Sequence, residues 1–490
     1  MDYFIGVDIG TSGTKAIAMT PAGRVNAAKH ISYQISQPKP GYSEQDPEIL
    51  LRATLSCIRS VVRQMKSQPL GISFSAAMHG LMAVDGRGRA LCPMITWADS
   101  RSQEEAAALK KSGQARTLVR RTGTPVHPMS PLCKLIWMRK HQTFLFRKAS
   151  RFVSVKEYIF FRFFGVWVID HSLAAATGLL DLRTRRWYPQ ALRLAGIGPD
   201  RLSTPVDTET SYTGLKDSYS GKMGLKNQIP FIIGASDGCL ANLGTGAIGK
   251  GIMAVTVGTS GAVRVASSSP VSDPRGRIFN YPLTGQIIIA GGPVNSGGIV
   301  LEWFRDHFMP GHSIDQVIGE AMQVPAGADG LVFIPYIQGE RAPVWNGEAR
   351  GIFAGVDIRH GRAHFARAVL EGICYNICVV QRLLEDRTGK ATQIRLSGGI
   401  LHSLPWSRMM TDILRRKTLI AAGDDASAMG AALLAMISMG RIGSLNKACG
   451  LVRPARTLKP DRSVQKAYSA GLEKFQGMIR DLIQDGGKKK

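Results

Sequence analysis

The sequence predicts an α/β protein built from two similar halves. Apolar, strand-like runs alternate with helix-period segments along most of the 490 residues. A glycine-rich hairpin at Gly10 returns at Gly258, about half a chain-length later, and the passage 244–251, which holds four glycines, precedes that second hairpin. With 44% hydrophobic and 20% charged residues, the composition excludes a mainly disordered, collagenous or coiled-coil chain and is ample for a buried core.

The first hairpin runs from Ile5 to Met19: an apolar strand ending at Asp8, a turn of Gly, Thr and Ser, and a second strand. Helical periodicity follows over Pro47 to Met65, then strands over Leu70 to Ser75 and Leu81 to Val84. Helices are expected over Ser102 to Leu109, Leu132 to Lys140 and Lys156 to Phe164. A fully apolar strand, Phe231 to Ala235, runs into Ser236-Asp237-Gly238. The second hairpin spans Ala254 to Val265. Beyond it, Gln286 to Gly291 and Leu331 to Pro335 read as strands, and His364 to Glu385, Trp406 to Leu414 and Ala426 to Ser438 as helices. An amphipathic helix, Val464 to Gln484, closes the pattern. The expected division is 1–247, 248–460, and a terminal helix with basic tail over 461–490.

Charge is the unusual feature. Sixty-two Lys and Arg against 36 Asp and Glu give +26, which can attract nucleic acid, an anionic membrane or anionic substrates. The basic residues are nevertheless spread along the chain; the densest runs are Arg183, Arg185 and Arg186, and Lys488 to Lys490. No zinc-finger, RNP-type or long Arg-rich segment occurs, so no specific nucleic-acid partner is expected. Seven scattered cysteines without a CxxC pair point to a reduced compartment and no thiolate metal site. The start lacks a basic n-region followed by an apolar one, and the apolar stretches read as too short to span a bilayer, so cytoplasmic residence without a membrane partner is expected.

Gly, Ser and Thr in a tight turn present backbone N–H groups and hydroxyls to one small volume, an arrangement that suits phosphate oxygens. Neither turn is a Walker A loop or a dinucleotide fingerprint. Asp237 ends an apolar strand, where open α/β sheets present ligand-binding groups, and can take a proton from a substrate hydroxyl or, together with Ser236, cap the next helix. Asp8, at the end of the first strand, can serve a turn or hold a divalent cation. A second polar group comprises Met78, His79, Trp97, Asp99 and Arg101: an apolar face, an acceptor and a fork of donors suited to a polyhydroxy ligand, or ordinary loop residues.

Together these segments resemble the FGGY carbohydrate kinases over residues 8–439. The resemblance rests on Asp8 to Lys15, Gly234 to Gly238, Val257 to Gly261, Ser397-Gly398-Gly399, Ala426 to Ala432, Met129-Ser130-Pro131 through Lys134 to Trp137, and Gly351 to Val356 through His364 to Glu371. It implies two RNase H-like domains of the actin, hexokinase and Hsp70 ATPase type flanking an interdomain cleft, with ATP and Mg²⁺ as cofactors. By correspondence, Asp237 is the base and Asp8 organises the metal. Thr11, Ser12, Gly13 and Lys15 lie at the phosphates with Gly258 and Thr259, while Gly298, Gly398, Gly399 and Ser403 meet the nucleotide. Within the family, Ser75 to Gly80, Ile95 to Arg101, Arg121 to Pro131 and Asp237 to Gly244 are most similar to the subgroup acting on gluconate, with Arg101 or His127 facing the carboxylate. A ketose or polyol substrate is the near alternative, and an anion- or nucleic-acid-binding protein on a kinase fold the distant one. The resemblance also makes a homodimer an assembly to expect. Ile400-Leu401-His402 departs from the family pattern after Gly399, at the adenine side.

Overall fold

The computed structural model describes residues 1–421, 423 and 425–484. The expected basic tail at Lys488 to Lys490 lies outside the described residues. Two compact units interleave along the chain: one comprises 1–248, 267–289 and 425–452, the other 249–266, 290–424 and 453–490.

In the first unit a six-stranded sheet runs in the order Ser211–Tyr212, Phe231–Ser236, Gly71–Ala76, Phe4–Ile9, Gly13–Met19, Val25–Ser32. The first hairpin is antiparallel, and Gly71–Ala76 lies parallel to Phe4–Ile9 on its other side. Phe231–Ser236 continues the parallel pairing. The central strands Phe4–Ile9, Gly71–Ala76 and Phe231–Ser236 are buried along nearly their full length because helices cover the sheet, whereas the edge strand Val25–Ser32 is largely exposed. Pro47–Met65, capped by Asp46 with proline at its first position, packs on the hairpin. Ala426–Ser438 packs on Phe4–Ile9 and Gly71–Ala76 so closely that a Cβ on Gly6 would stand 1.9 Å from the Ala428 carbonyl oxygen.

The second unit repeats the plan. Its strands run Ile288–Val294, Gly261–Ser267, Ile252–Val257, Gln393–Ser397, Lys417–Ile420, Arg456–Leu458. Again an antiparallel hairpin is flanked by a parallel strand and a further parallel one. A hairpin beside two parallel strands, met twice, is the RNase H-like ATPase fold. The expected helices are present at Gln103–Lys111, Pro131–His141, Val155–Phe164, Arg362–Thr388, Leu404–Leu414, Ala426–Ser438 and Gln465–Gln484.

One expectation is corrected. Arg362–Thr388 is, by length and composition, long and apolar enough to cross a membrane, although no apolar stretch was expected to be. Polar residues interrupt the run without lowering its mean hydropathy far enough. Most of its apolar window, 83%, is buried inside the protein, as for the core helix of a folded unit.

Candidate active site

Strand register assembles the first constellation. Asp8 stands opposite Lys15 across the hairpin and opposite Ser75 in the parallel neighbour. Directly opposed residues put their side chains on one face, so Lys15, Asp8 and Ser75 form a row across the sheet end. Ser75 Oγ donates to Asp8 Oδ1 at 2.6 Å. Burial pushes the Asp8 carboxyl up to about 6; the Ser75 hydrogen bond and Lys15 oppose this, while the charges of Asp237 and Asp425 add to it.

Asp237 is the first residue of helix Asp237–Gly244, directly after strand Phe231–Ser236. Its Oδ1 accepts from the Gly238 N–H at 2.7 Å. Ser236 occupies the cap position without a side-chain cap bond.

A buried network supports this strand end. Lys156 Nζ lies 2.7 Å from Asp170 Oδ2 and donates to the Ala235 carbonyl at 3.1 Å. Asp170 Oδ1 accepts from the backbone N–H groups of Ser172 and Leu173, at 3.0 and 3.1 Å, and from Ser172 Oγ. That hydroxyl in turn accepts from the Ser236 N–H at 2.7 Å. Burial lowers the Lys156 ammonium, opposed by Asp170.

The hairpin turn is closed by Gly10 N–H to the Gly13 carbonyl at 3.0 Å. Thr11 Oγ1 accepts from Trp97 Nε1 at 2.9 Å, and the Thr11 carbonyl accepts from Gln45 Nε2 at 2.7 Å. Ser12 is exposed at the tip. Lys15 forms an ion pair with Asp425. Asp425 escaped the sequence reading, although it immediately precedes the Ala426 to Ala432 motif.

On the polar side, His79 adopts φ 65°, and its Nδ1 lies 2.7 Å from the Ala176 carbonyl. A carbonyl only accepts, so Nδ1 carries the proton in the neutral ring. Its ring meets Tyr281 edge-on at 6.1 Å. Met78 beside it is half-buried. Asp99 Oδ2 accepts from the Ser43 N–H at 2.7 Å. Arg101 is committed within the protein: Nε and Nη2 bond both Asp99 oxygens, Nη2 also reaches Glu44 at 2.6 Å, and the guanidinium stacks 3.7 Å from the Tyr42 ring centre. Its side chain is only 3% exposed, so it supports the Asp99 loop. Half-buried His127 accepts the Met129 N–H at Nδ1, at 3.2 Å, leaving Nε2 as its protonated nitrogen. Lys134 also escaped the sequence reading as an individual residue. Fully buried, it donates to three backbone carbonyls, and burial draws it down to about 7 against the opposing charge of Asp99.

Within the second unit, the expected nucleotide-side glycines converge. The Gly298 N–H donates to the Gly258 carbonyl at 2.6 Å, and the Ile299 N–H to the Thr259 carbonyl at 3.1 Å. The helix Gly298–Phe308 thus starts against the hairpin turn. Gly398, at φ 90°, lies so close that a Cβ there would be 2.6 Å from the Val257 carbonyl oxygen, and Gly399 begins the turn Gly399–His402. The absence of a Cβ lets these backbone segments approach closely: one on Gly298 would stand 3.0 Å from the Gly258 carbonyl oxygen. Ser403 caps the helix Leu404–Leu414, its Oγ accepting from the Trp406 N–H at 3.3 Å.

Comparison with known proteins adds to this geometry. The N-terminal domain of the FGGY family of carbohydrate kinases matches residues 3–244 and its C-terminal domain matches 253–439. A gluconokinase from Bacillus subtilis (strain 168) is 39% identical, with 98% of this chain and 96% of that one covered. The crystal structure of gluconate kinase from Lactobacillus acidophilus superposes with a TM-score of 0.95 at 32% identity, and ligand-bound xylulose kinase from the same species with 0.95 at 31%, each covering 99% of both chains.

Proposed function

From its membership of the FGGY family of carbohydrate kinases, to which this chain belongs, we propose that it transfers the γ-phosphoryl group of ATP to the terminal hydroxyl of D-gluconate, giving 6-phosphogluconate. Phosphorylation of a carbohydrate with ATP is the family's reaction. Gluconate is favoured by the 39% identity to a gluconokinase over nearly the whole chain, the observation that carries this reading.

In the proposed mechanism, an Asp237 carboxylate oxygen takes the proton of the attacking hydroxyl. The hydroxyl oxygen bonds to the γ-phosphorus, the bond to the β,γ-bridging oxygen breaks, and ADP leaves with that electron pair. Thr11, Ser12, Gly13 and Lys15 would receive phosphate oxygens, as would Gly258 and Thr259, with the nucleotide against Gly298, Gly398, Gly399 and Ser403. Lys15 would leave Asp425 to do so. Asp8 fits a role in holding Mg²⁺, which would offset phosphate charge. Among the described residues no cluster of three or more His, Cys, Asp or Glu could hold a metal by itself. One or two carboxylates completed by water and phosphate are the habit of this small, hard cation. Because Arg101 is spent on Asp99 and Glu44, we assign the substrate carboxylate to His127 Nε2–H, with Met78, His79 and Trp97 along the sugar and Asp99 holding the loop.

Similarity to xylulose kinase at the same TM-score supports a second reading, the same transfer to a ketose. The test is ADP release with Mg²⁺ and ATP across gluconate, xylulose, ribulose, glycerol and no sugar. Gluconate-dependent turnover that falls at least a thousandfold in Asp237→Asn is expected. A xylulose preference would overturn the substrate, near-normal turnover by Asp237→Asn the base, and no sugar-dependent turnover the activity.

A further inference from the structure

Lys134 sits in the first turn of the helix Pro131–His141 with none of its surface exposed. That is a poor place for a cation, because burial and the helix dipole both oppose the charge. An apolar side chain of similar length would pack there without that penalty. What the ammonium gains is a set of acceptors on two loops. It donates to the His79 carbonyl at 2.6 Å, the Thr96 carbonyl at 2.7 Å and the Ile95 carbonyl at 3.4 Å, using all three N–H groups.

These acceptors lie where sheet pairing gives way to loops. Leu81 and Ile95 exchange backbone hydrogen bonds at 3.0 and 2.8 Å, the last such pair between these segments. Past that pair, His79 turns into left-handed backbone and Thr96 leads to Trp97. Each ring is held at its outer end by a different element: His79 by the Ala176 carbonyl, Trp97 by the Thr11 hydroxyl. Lys134 holds the backbone beside both. A side chain fixed at ring and backbone has a defined orientation; fixed at the ring alone, it pivots.

We propose that Lys134 is a positioning residue that sets the spacing of the His79 and Trp97 loops and thereby determines affinity for the sugar but not for the nucleotide. The assignment rests on the sugar-kinase reading above, which places those rings along the substrate. It concerns only bonds within the first unit.

The test compares wild type with Lys134→Met, which keeps the stem and removes every donor, and Lys134→Gln, which keeps two N–H groups. On whichever sugar the wild type phosphorylates, Lys134→Met should raise the sugar KM at least tenfold, with Lys134→Gln between. The KM for ATP should stay within twofold and kcat within threefold. Equal changes in both KM values, or an unchanged sugar KM in a folded variant with lowered Tm, would overturn the proposal by making Lys134 a general stabiliser. Hydrogen exchange of the wild type gives a readout that needs neither activity nor a folded variant. The amides of Leu81, Ile95, Thr96 and Asp99 should open together with one free energy, and separate opening would overturn the clamp. If no sugar is turned over, the functional reading fails and the exchange result alone decides for or against Lys134.

Discussion

Replacing Asp170 by Asn tests the buried network behind the proposed base. The two partners are unequally supported. Asp170 keeps three donors from Ser172 and Leu173 if Lys156 is removed, and Asn at position 170 still caps the helix His171–Ala176. Lys156 retains only the Ala235 carbonyl if the carboxylate is neutralised. At 1% side-chain exposure it cannot recover water without local opening. Breaking such a pair from one side costs about 3–5 kcal/mol, whereas exchanging both partners for uncharged groups is near neutral. Asp170→Asn should therefore lose about 4 kcal/mol, Lys156→Met about half of that, and the double variant less than Asp170→Asn alone. Urea unfolding followed by tryptophan fluorescence gives the four free energies of this cycle. Because Ser236 N–H hangs from Ser172 Oγ, kcat should fall in Asp170→Asn and recover partially in the double variant. A loss below about 1 kcal/mol in Asp170→Asn, or a double variant as unstable as the summed singles, would refute the argument.

Gly430→Ala should be destabilising by about 1–3 kcal/mol in thermal or urea unfolding, because its Cβ would stand 1.9 Å from the Leu240 carbonyl oxygen and must push the helices Asp237–Gly244 and Ala426–Ser438 away from each other. Asp237 and Asp425 stand at the N-terminal ends of those helices, so turnover should fall as well. Asp8→Asn should raise Tm at pH 8, about half as much at pH 5 and hardly at all below pH 4. The wild-type carboxyl, raised to about 6 when folded, favours the folded state below its unfolded value and loses that contribution as pH rises through 6; an equal rise at pH 8 and pH 5 would refute this. His127→Ala should raise the KM for gluconate about ten- to a hundredfold while leaving that for a neutral ketose within twofold in the same coupled assay, an ion-assisted hydrogen bond being worth about 1.5–3 kcal/mol.

Both hairpins, the helix Pro47–Met65 and the strand leading to Asp237 were legible in the sequence, because each is a local pattern: a period, a glycine turn, a cap. The places of Asp8 near the end of its apolar strand and of Asp237 directly after another were legible for the same reason. What stayed hidden depends on distance along the chain. Asp425 reaches Lys15 only because the segment 425–452 returns to the first unit, over a separation of 410 residues. Lys134 was visible as one member of a motif, but three backbone acceptors on two loops leave no mark in side-chain identities. Arg101 was readable as a donor fork; its commitment to Asp99 and Glu44 follows from loop packing that periodicity does not encode.

The row Lys15, Asp8, Ser75 shows why the chemistry sits where it does. Strand register fixes which side chains share a face, so one hairpin and one parallel neighbour suffice to set a cation, a carboxylate and a hydroxyl side by side. The same register turns Gly6, two residues before Asp8, toward the helix Ala426–Ser438, where only hydrogen fits. That close approach brings the helix start, and with it Asp425, to Lys15. Three carboxylates are then held near one another: burial pushes Asp8 up to about 6, and the charges of Asp237 and Asp425 add to that rise. A structural role would not require this: an asparagine at position 8 would accept the Ser75 hydrogen bond without the charge. Positive charge arriving at this sheet end would relieve that penalty, as the proposed role of Asp8 in holding Mg²⁺ requires. Retaining a destabilising carboxylate on this buried strand is what the proposed cation-assisted phosphate chemistry at this sheet end would require.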